Sequence, residues 1–590
     1  MWAFPFDDVC SKVTSSGAYP YNMLLRKGLG YQVIIALSTC TTLSTATSEQ
    51  TTGYTGHRIQ STIRGEAYPL LLDATLEELR KGLDGGAFSS VDLFDAYIER
   101  IEQVNPFVRA VTEINPDARS IAAQRDAERK QGHGTLGPLY GIPVLVKNNI
   151  ATADAMNNTA GSYALLGAKV PEDSHVVARL RNAGAIILGK TNLSQWANFR
   201  STNSSNGWSA HGGQTIGAYY PGQDPLGSSS GSAVASSIGL AWAALGTDSV
   251  GSITAPAHVA NVVAVKPTLG LTSRYLVIPY AEHADTIGPI ARSVKDAAYL
   301  LSAIAGVDHK DGYTSEIPQE MKNRDYSKAC TISGLEGRRL GVPRHLLSQR
   351  RGSPGKDSVA RSFDAALDVM KNLGADIVDV ELPGVKKLLD SHVKEFLAVL
   401  DADFVTNLSQ YLSQLTSNPN KVNSLESVLE FTQNSPEEEY PRRNTVRWEQ
   451  ALARGNNNTA PKARQHQKVI DDLLGGPDGL DGVLRKKTLD AVIFPSTELT
   501  LLTVLIGSPI ITVPLGFAPD TTPSRQSSSG YLNETGPNAP FGLAFAGSKW
   551  SEELLFGMAY AWEQASQVRG KVKPFVQPKT ELEDIVRRTS

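Results

Sequence analysis

Two short stretches concentrate the residues that could do chemistry. The first is Gly227-Ser228-Ser229-Ser230-Gly231-Ser232. The second, whose Ser252 stands 24 residues after Ser228, is Gly246-Thr247-Asp248-Ser249-Val250-Gly251-Ser252-Ile253. Glycine and serine at this density let the backbone approach closely and aim successive N–H groups into one concavity. Such a concavity suits an anion or a developing oxyanion. No Gly-Lys-Ser/Thr follows, so neither stretch is a phosphate-binding P-loop. Gly227–Gly231 does satisfy Gly-x-Ser-x-Gly with Ser229 at its centre, and His211-Gly212-Gly213 upstream imitates an oxyanion-hole motif. That arrangement needs a strand directly before the serine, whereas Tyr219-Tyr220-Pro221-Gly222-Gln223-Asp224-Pro225 has the composition of a turn.

A serine needs a base to become a nucleophile. Ten histidines are present, and none forms an evident motif with an acid. His175 stands at an expected helix start and His258 in an Ala-rich segment, places that suit packing or capping. The other source of a base is a lysine held neutral. Lys147 closes the apolar run Ile142-Pro143-Val144-Leu145-Val146, where desolvation would depress its pKa. A lysine snorkelling from a strand end to water would look the same.

The elements that must position these groups alternate. Ile142–Val146, Ala185–Leu188, Val262–Val265, Ala491–Phe494 and Ile510–Val513 are short all-apolar runs bounded by Gly and Pro. They are expected to be buried strands. Helical stretches lie between them, including Val176–Ala183 and Ala233–Leu245. Earlier, Thr75 and Glu78 form a capping box before a helix ended by Gly85-Gly86, and Ser90 caps the next. The expected fold is α/β, a mixed and mostly parallel sheet covered by helices on both faces, with a helical insertion. Residues 68–310 and 485–575 carry this core. Residues 311–484 are more charged and are expected as a helical cap, and 576–590 as a tail.

The chain has 590 residues, 57 Lys plus Arg and 60 Asp plus Glu, for a net charge of −3. That balance excludes an electrostatic polyanion binder, so no nucleic-acid partner is expected. No run approaches the roughly 18 apolar residues of a membrane span. Three cysteines, Cys10, Cys40 and Cys330, cannot form a disulfide framework. Residues 1–60 are Ser/Thr-rich. Within them, residues 23–46 have a short apolar core followed by Ser44-Thr45-Ala46, the pattern of a signal peptide beginning at Met23. The protein is secreted if that segment is used and cytoplasmic otherwise. Asn157, Asn192, Asn203, Asn407, Asn457 and Asn533 are glycosylation sequons, little above the number chance would give.

Taken together, these motifs resemble the amidase signature family of serine hydrolases. The resemblance covers about residues 68–310 and 485–570. Gly137–Lys147 is similar to the family's lysine strand, and Gly189–Ala197 to the segment ahead of the serine loop. Gly227–Ser232 and Gly246–Ile253 match the signature and nucleophile loops. Val265–Leu271, Ser508–Gly516 and Phe541–Gly547 are similar to flanking strands. The resemblance implies an amidase that cleaves a small-molecule amide through an acyl-serine. Ser252 would be the nucleophile, Ser228 a bridging serine after a cis peptide bond, and Lys147 the base. Ser249, Val250, Gly251 and Ser252 would offer oxyanion N–H groups, and Ser229 and Ser230 would support substrate and Ser228. No metal or cofactor is implied, and a homodimer is compatible with it. An acyltransferase using the same residues is the alternative, followed by a glutamine-hydrolysing amidotransferase subunit. Three positions depart from the usual pattern: Val250 for Gly, Thr254 for Arg, and Asn148 for Asp. Asp285, Trp208, Tyr219 and Tyr220 are further candidates for the cleft.

Overall fold

A computed structural model describes residues 61–63, 66–132, 136–347, 354–455, 457–496, 498–527 and 529–589. The leader, its signal-like segment 23–46, Cys10 and Cys40 lie outside the described residues. No helix among the described residues is long and apolar enough to cross a membrane.

The centre is an eleven-stranded sheet. In chain order its strands are β1 (Val111–Ile114), β2 (Pro143–Lys147), β3 (Ile186–Thr191), β4 (Ala243–Asp248), β5 (Val263–Lys266) and β6 (Thr286–Ala291). They continue with β7 (Arg339–Val342), β8 (Asp376–Asp379), β9 (Ala491–Pro495), β10 (Ile510–Phe517) and β11 (Pro540–Ala546). Across the sheet the order is β8-β7-β9-β11-β10-β5-β6-β4-β2-β3-β1. The sheet is mixed. Parallel pairs lie in two flanks, β8–β7–β9 and β4–β2–β3. From β9 through β11, β10, β5 and β6 to β4 the pairing is antiparallel, as it is between β3 and β1. Every residue of β2, β3, β4, β5, β6, β9 and β11 is buried. Strands buried along their whole length must be covered on both faces, which is why these runs show no alternation.

All five apolar runs lie in strands of this sheet. The helix Leu76–Gly85 has the Thr75/Glu78 capping box and ends at Gly86 with φ 72°. The following helix, Ser90–Val108, is capped by Ser89 rather than Ser90, because the Ser89 hydroxyl accepts the Asp92 N–H. The expected helix Ala233–Leu245 is also divided. A helix spans Ser230–Ser237, Gly239 turns the chain at φ 66°, and Ala243 onward is β4. The run Trp242-Ala243-Ala244-Leu245 is buried on all sides, so its apolar residues carry no period that separates helix from strand.

The stretch 311–484 differs from the expected helical cap. It supplies β7 and β8 to the edge of the main sheet. Only four residues each, and polar at β8, these strands are too short to stand out from their charged surroundings. A 19-residue helix, Pro354–Asn372, joins these two strands, and the rest of the stretch, from Pro383 on, is helical, with helices such as Val393–Ser413 and Val446–Arg454. It is sewn to the core by aromatic contacts: Phe404 and Trp448 meet Trp196 at 6.5 and 5.7 Å between ring centres, and Phe404 meets Phe199 at 4.7 Å.

Candidate active site

Sheet register brings the two motif stretches to Lys147. β2 runs parallel to β4 with Val146 opposite Leu245, so Lys147 ends its strand beside the Gly246-Thr247 end of β4. Helix Ser230–Ser237 packs on β4, and the residues that lead into it, Ser228 and Ser229, reach the same point. Two glycines permit this. A Cβ on Gly227 would stand 2.2 Å from Ser194 Oγ, and one on Gly231 would stand 2.3 Å from the Ala110 carbonyl. The Gly227–Ser228 peptide bond is cis.

The Lys147 ammonium position is fully buried. Its Nζ lies 2.7 Å from Ser228 Oγ, 2.9 Å from Ser229 Oγ, 2.8 Å from Thr247 Oγ1 and 3.2 Å from the Thr247 carbonyl. Burial lowers its pKa to about 7, against the opposing pull of Asp248 and Asp285. The amine is therefore poised to be neutral at working pH.

Hydrogen-bond accounting separates the two serines. Ser229 Oγ donates its proton to the Thr247 carbonyl at 3.0 Å and accepts the Thr247 N–H at 3.2 Å. A hydroxyl has one proton, so Ser229 can only accept from Lys147. Ser228 Oγ has no partner except Lys147 among the described residues, and its proton is available to Nζ. Ser229 is also wholly buried, its N–H is bonded to the Ser252 carbonyl at 3.1 Å, and the residues before it form no strand. The elbow arrangement centred on Ser229 is absent. His211 sits apart, T-stacked on Tyr163 and 3.6 Å from Glu113. It lines a cavity of about 450 Å³ with Arg109 and Glu439.

Ser252 follows Gly251, whose φ of 82° turns the chain out of β4 into the helix Thr254–Val259. Its side chain is close to buried, at 8% exposure of the residue, and its hydroxyl makes no hydrogen bond among the described residues. Asp248 fixes this loop. Its carboxylate accepts the Gly251 N–H at 2.7 Å and the Ile253 N–H at 2.6 Å. The expectation for Gly251 is corrected on this point: its N–H is bonded to Asp248, whereas those of Ser249, Val250 and Ser252 meet no acceptor among the described residues. Val250 does not adopt a positive φ, so the loop tolerates its β-branched side chain by assigning that conformation to Gly251.

The other candidates divide. Asp285 is at the site: it accepts the Ser249 hydroxyl, and burial raises its pKa to about 6. Asn148 is buried beside Lys147 and holds Thr159 through its Oδ1 at 2.8 and 2.9 Å. Trp208 is packed beneath Arg443, whose guanidinium lies 4.2 Å from the ring centre. Tyr219 accepts Asn261 Nδ2, and Tyr220 donates to the Asn533 carbonyl; both are structural. His258 has neither ring nitrogen bonded, and burial lowers its pKa to about 3, so it stays neutral. His175 begins a helix, 3.4 Å from Asp308. Thr254 is buried with an unpartnered hydroxyl.

Thr247, Asp248, Ser194 and Glu438 carry roles that their residue types and spacing do not announce. Thr247 and Asp248 belong to the Gly246–Ile253 stretch and Ser194 to the Gly189–Ala197 segment. Ser194 donates its N–H to the Ser228 carbonyl at 3.0 Å. Glu438 has no local sequence signal, because its partners are more than 200 residues away. It is fully buried and accepts Ser162 Oγ and Tyr163 N–H at 2.7 and 2.8 Å on one oxygen, and Gln195 Nε2 and Arg200 Nη1 at 2.6 and 2.8 Å on the other. Among the described residues Glu282, His283 and Asp403 could bring metal-ligating atoms together. His283 Nδ1 lies 2.9 Å from both Asp403 oxygens, the geometry of an ion pair.

A family model described as amidase matches residues 92–556. The chain belongs to the amidase family. It is 48% identical over 541 residues to an Arthroderma benhamiae protein named as an amidase, covering 88% of this chain and 90% of that one. Over 502 residues it is 34% identical to an Arabidopsis thaliana protein also named as an amidase, covering 84% and 91%. Among solved structures, the native peptide amidase from Stenotrophomonas maltophilia superposes with a TM-score of 0.75 at 36% identity, covering 86% of this chain and 99% of that one. A peptide amidase in complex with the competitive inhibitor chymostatin gives 0.74 at 37%, covering 84% and 98%. This amidase is an amide hydrolase of mixed α/β fold.

Proposed function

We propose that this amidase works through an acyl-enzyme on Ser252, with Ser228 as proton bridge and Lys147 as base. Ser252 Oγ attacks the amide carbonyl carbon. Its proton passes to Ser228 Oγ as the Ser228 proton passes to neutral Lys147 Nζ. The tetrahedral oxyanion is held by the N–H groups of Ser249, Val250 and Ser252. The relay then reverses: the Lys147 proton returns through Ser228 to the leaving nitrogen, the C–N bond breaks, and acyl-Ser252 remains. Water, deprotonated by the same relay, releases the acid and restores Ser252.

The observation that carries this reading is the asymmetry at Lys147. Ser228 has a proton with no other acceptor, and Ser229 does not. The Ser228–Ser252 link is not among the hydrogen bonds of the free enzyme, and such bonds commonly tighten only with substrate in place. The likeness to peptide amidases favours peptide-type amides as the first substrates to screen.

The test is labelling with a fluorophosphonate followed by peptide mapping. The expected adduct is on Ser252 and is lost in Lys147→Ala. An adduct on Ser229, or undiminished labelling and turnover in Lys147→Ala, would refute the mechanism. Product analysis with an added amine separates hydrolysis from acyl transfer.

A further inference from the structure

Asp285 makes one bond more than its own turn requires. Its Oδ2 accepts the N–H groups of Tyr280 and Ala281 at 2.7 and 3.0 Å, and its N–H returns to the Ala281 carbonyl at 2.8 Å. These close the loop on itself. The remaining oxygen reaches outside the loop to the Ser249 hydroxyl, in the segment assigned the oxyanion donors under the proposed function.

The same short loop is clasped from its other side. Asp403 and Asn407 are four residues apart on the helix Val393–Ser413, so they share a face. Glu282 N–H donates to Asn407 Oδ1 at 3.2 Å, and Asn407 Nδ2 donates to Glu282 Oε2 at 2.9 Å. His283 N–H donates to Asp403 Oδ2 at 3.2 Å, and His283 Nδ1 meets that carboxylate at 2.9 Å. Two successive loop residues thus grip two successive turns of one helix. Tyr280, at the head of the loop, packs its ring 6.1 Å from Phe404 of the same helix. Loop, helix and oxyanion segment form one connected set of bonds. Three of the loop's residues, Tyr280, Glu282 and His283, thus contact a single helix.

We propose that the Tyr280–Asp285 loop is a strap through which the helix Val393–Ser413 sets the oxyanion segment, with Asp285 as the positioning residue acting on Ser249. The proposal rests on the oxyanion role given above to Ser249, Val250 and Ser252. Asp285 touches no reacting atom; it fixes where the Ser249 and Val250 N–H groups point. A displacement of about 1 Å at such a donor costs on the order of 10²-fold in rate.

The experiment uses the full chain and an amide substrate, with the wild-type fluorophosphonate adduct mapped first. An adduct away from Ser252 overturns the site reading and the strap with it. With the adduct on Ser252, Asp285→Ala is expected to lower kcat roughly 10²-fold while KM stays within about threefold. The double variant Asp285→Ala/Ser249→Ala should be no slower than Asp285→Ala, because both changes break one linkage. At the far end, His283→Ala should lower kcat by about tenfold with KM unchanged. His283→Asn, whose amide nitrogen stands in for Nδ1, should restore it. Wild-type kcat in Asp285→Ala, or multiplying losses in the double variant, overturns the strap alone. If Asp285→Ala does not fold, the His283 pair decides: a lowered Tm with wild-type kcat in His283→Ala overturns the proposal.

Discussion

Ser229 gives its hydroxyl proton to the carbonyl of Thr247, 3.0 Å away, and so can only accept from Lys147. Two adjacent serines within reach of one amine are thereby made unequal. Ser228→Ala removes the proposed proton bridge and should lower kcat by roughly 10³- to 10⁴-fold, the upper range for general base catalysis. Ser229→Ala leaves that bridge and should lower kcat about tenfold through a looser Lys147. Steady-state kinetics on the two variants measures the difference.

The pH dependence follows from Lys147. Only its neutral form accepts a proton, and burial brings its pKa to about 7. The value of kcat/KM should therefore rise with pH through about 7 and level off above. Falling pH recharges the amine and removes activity. A profile that is flat from pH 6 to 9, or that falls across 7, contradicts the assignment.

Much of this was legible in the sequence because it is local. The five apolar runs lie in the sheet, since a strand buried on both faces has to be apolar throughout. Lys147 stood out as a charge ending such a run. What was not legible is non-local. Runs buried on both faces look alike whichever way their neighbours point, so nothing in Val262–Val265 or Ile510–Val513 announced the antiparallel centre. Ala243–Leu245 follows a helix without a polar break, so the sequence extends the helix over the start of β4. Gly251 looked like an oxyanion donor until the Asp248 carboxylate was seen to hold its N–H. Glu438 owes its role to partners in distant segments.

The Glu438 knot predicts a large stability effect. Removing one partner of a buried ion pair leaves the other charged and unpaired, at a cost of about 3–5 kcal/mol. Glu438→Ala should lose stability on that scale, because the Arg200 guanidinium keeps no carboxylate there. The urea midpoint measures it. A change below about 1 kcal/mol would show that the knot is dispensable.

Close packing at Gly231 predicts a second loss. A Cβ there meets the Ala110 carbonyl at 2.3 Å and the Asn192 N and O at 2.6 Å, all backbone. Since backbone cannot rotate away, Gly231→Ala should destabilise by about 1–3 kcal/mol. It should also displace Ser228 and Ser229, which enter the same helix. Thermal unfolding and kcat measured together test both effects.

The six sequons are unequal in the fold. Asn203 and Asn457 are exposed, whereas Asn192 and Asn407 are buried. A glycan on Asn192 has no room beside the Gly207 and Gly213 carbonyls it donates to. When the chain is expressed through a eukaryotic secretory pathway, active protein should carry glycans at Asn203 and Asn457 and none at Asn192 or Asn407. Peptide mapping after deglycosylation reads this directly.

The sheet order also constrains how the molecule comes into being. β5 sits between β6, its near neighbour in the chain, and β10, which is not synthesised until residue 517. Lys147, Ser228 and Ser252 all emerge from the ribosome long before then. For that interval β5 presents an unpaired edge of apolar residues, the kind of edge that pairs with other chains. The parts of the proposed catalytic centre are thus complete early in translation, while the strand that pairs with β5 arrives more than 240 residues after it. A nascent chain stalled in that window is the form of this amidase most exposed to aggregation.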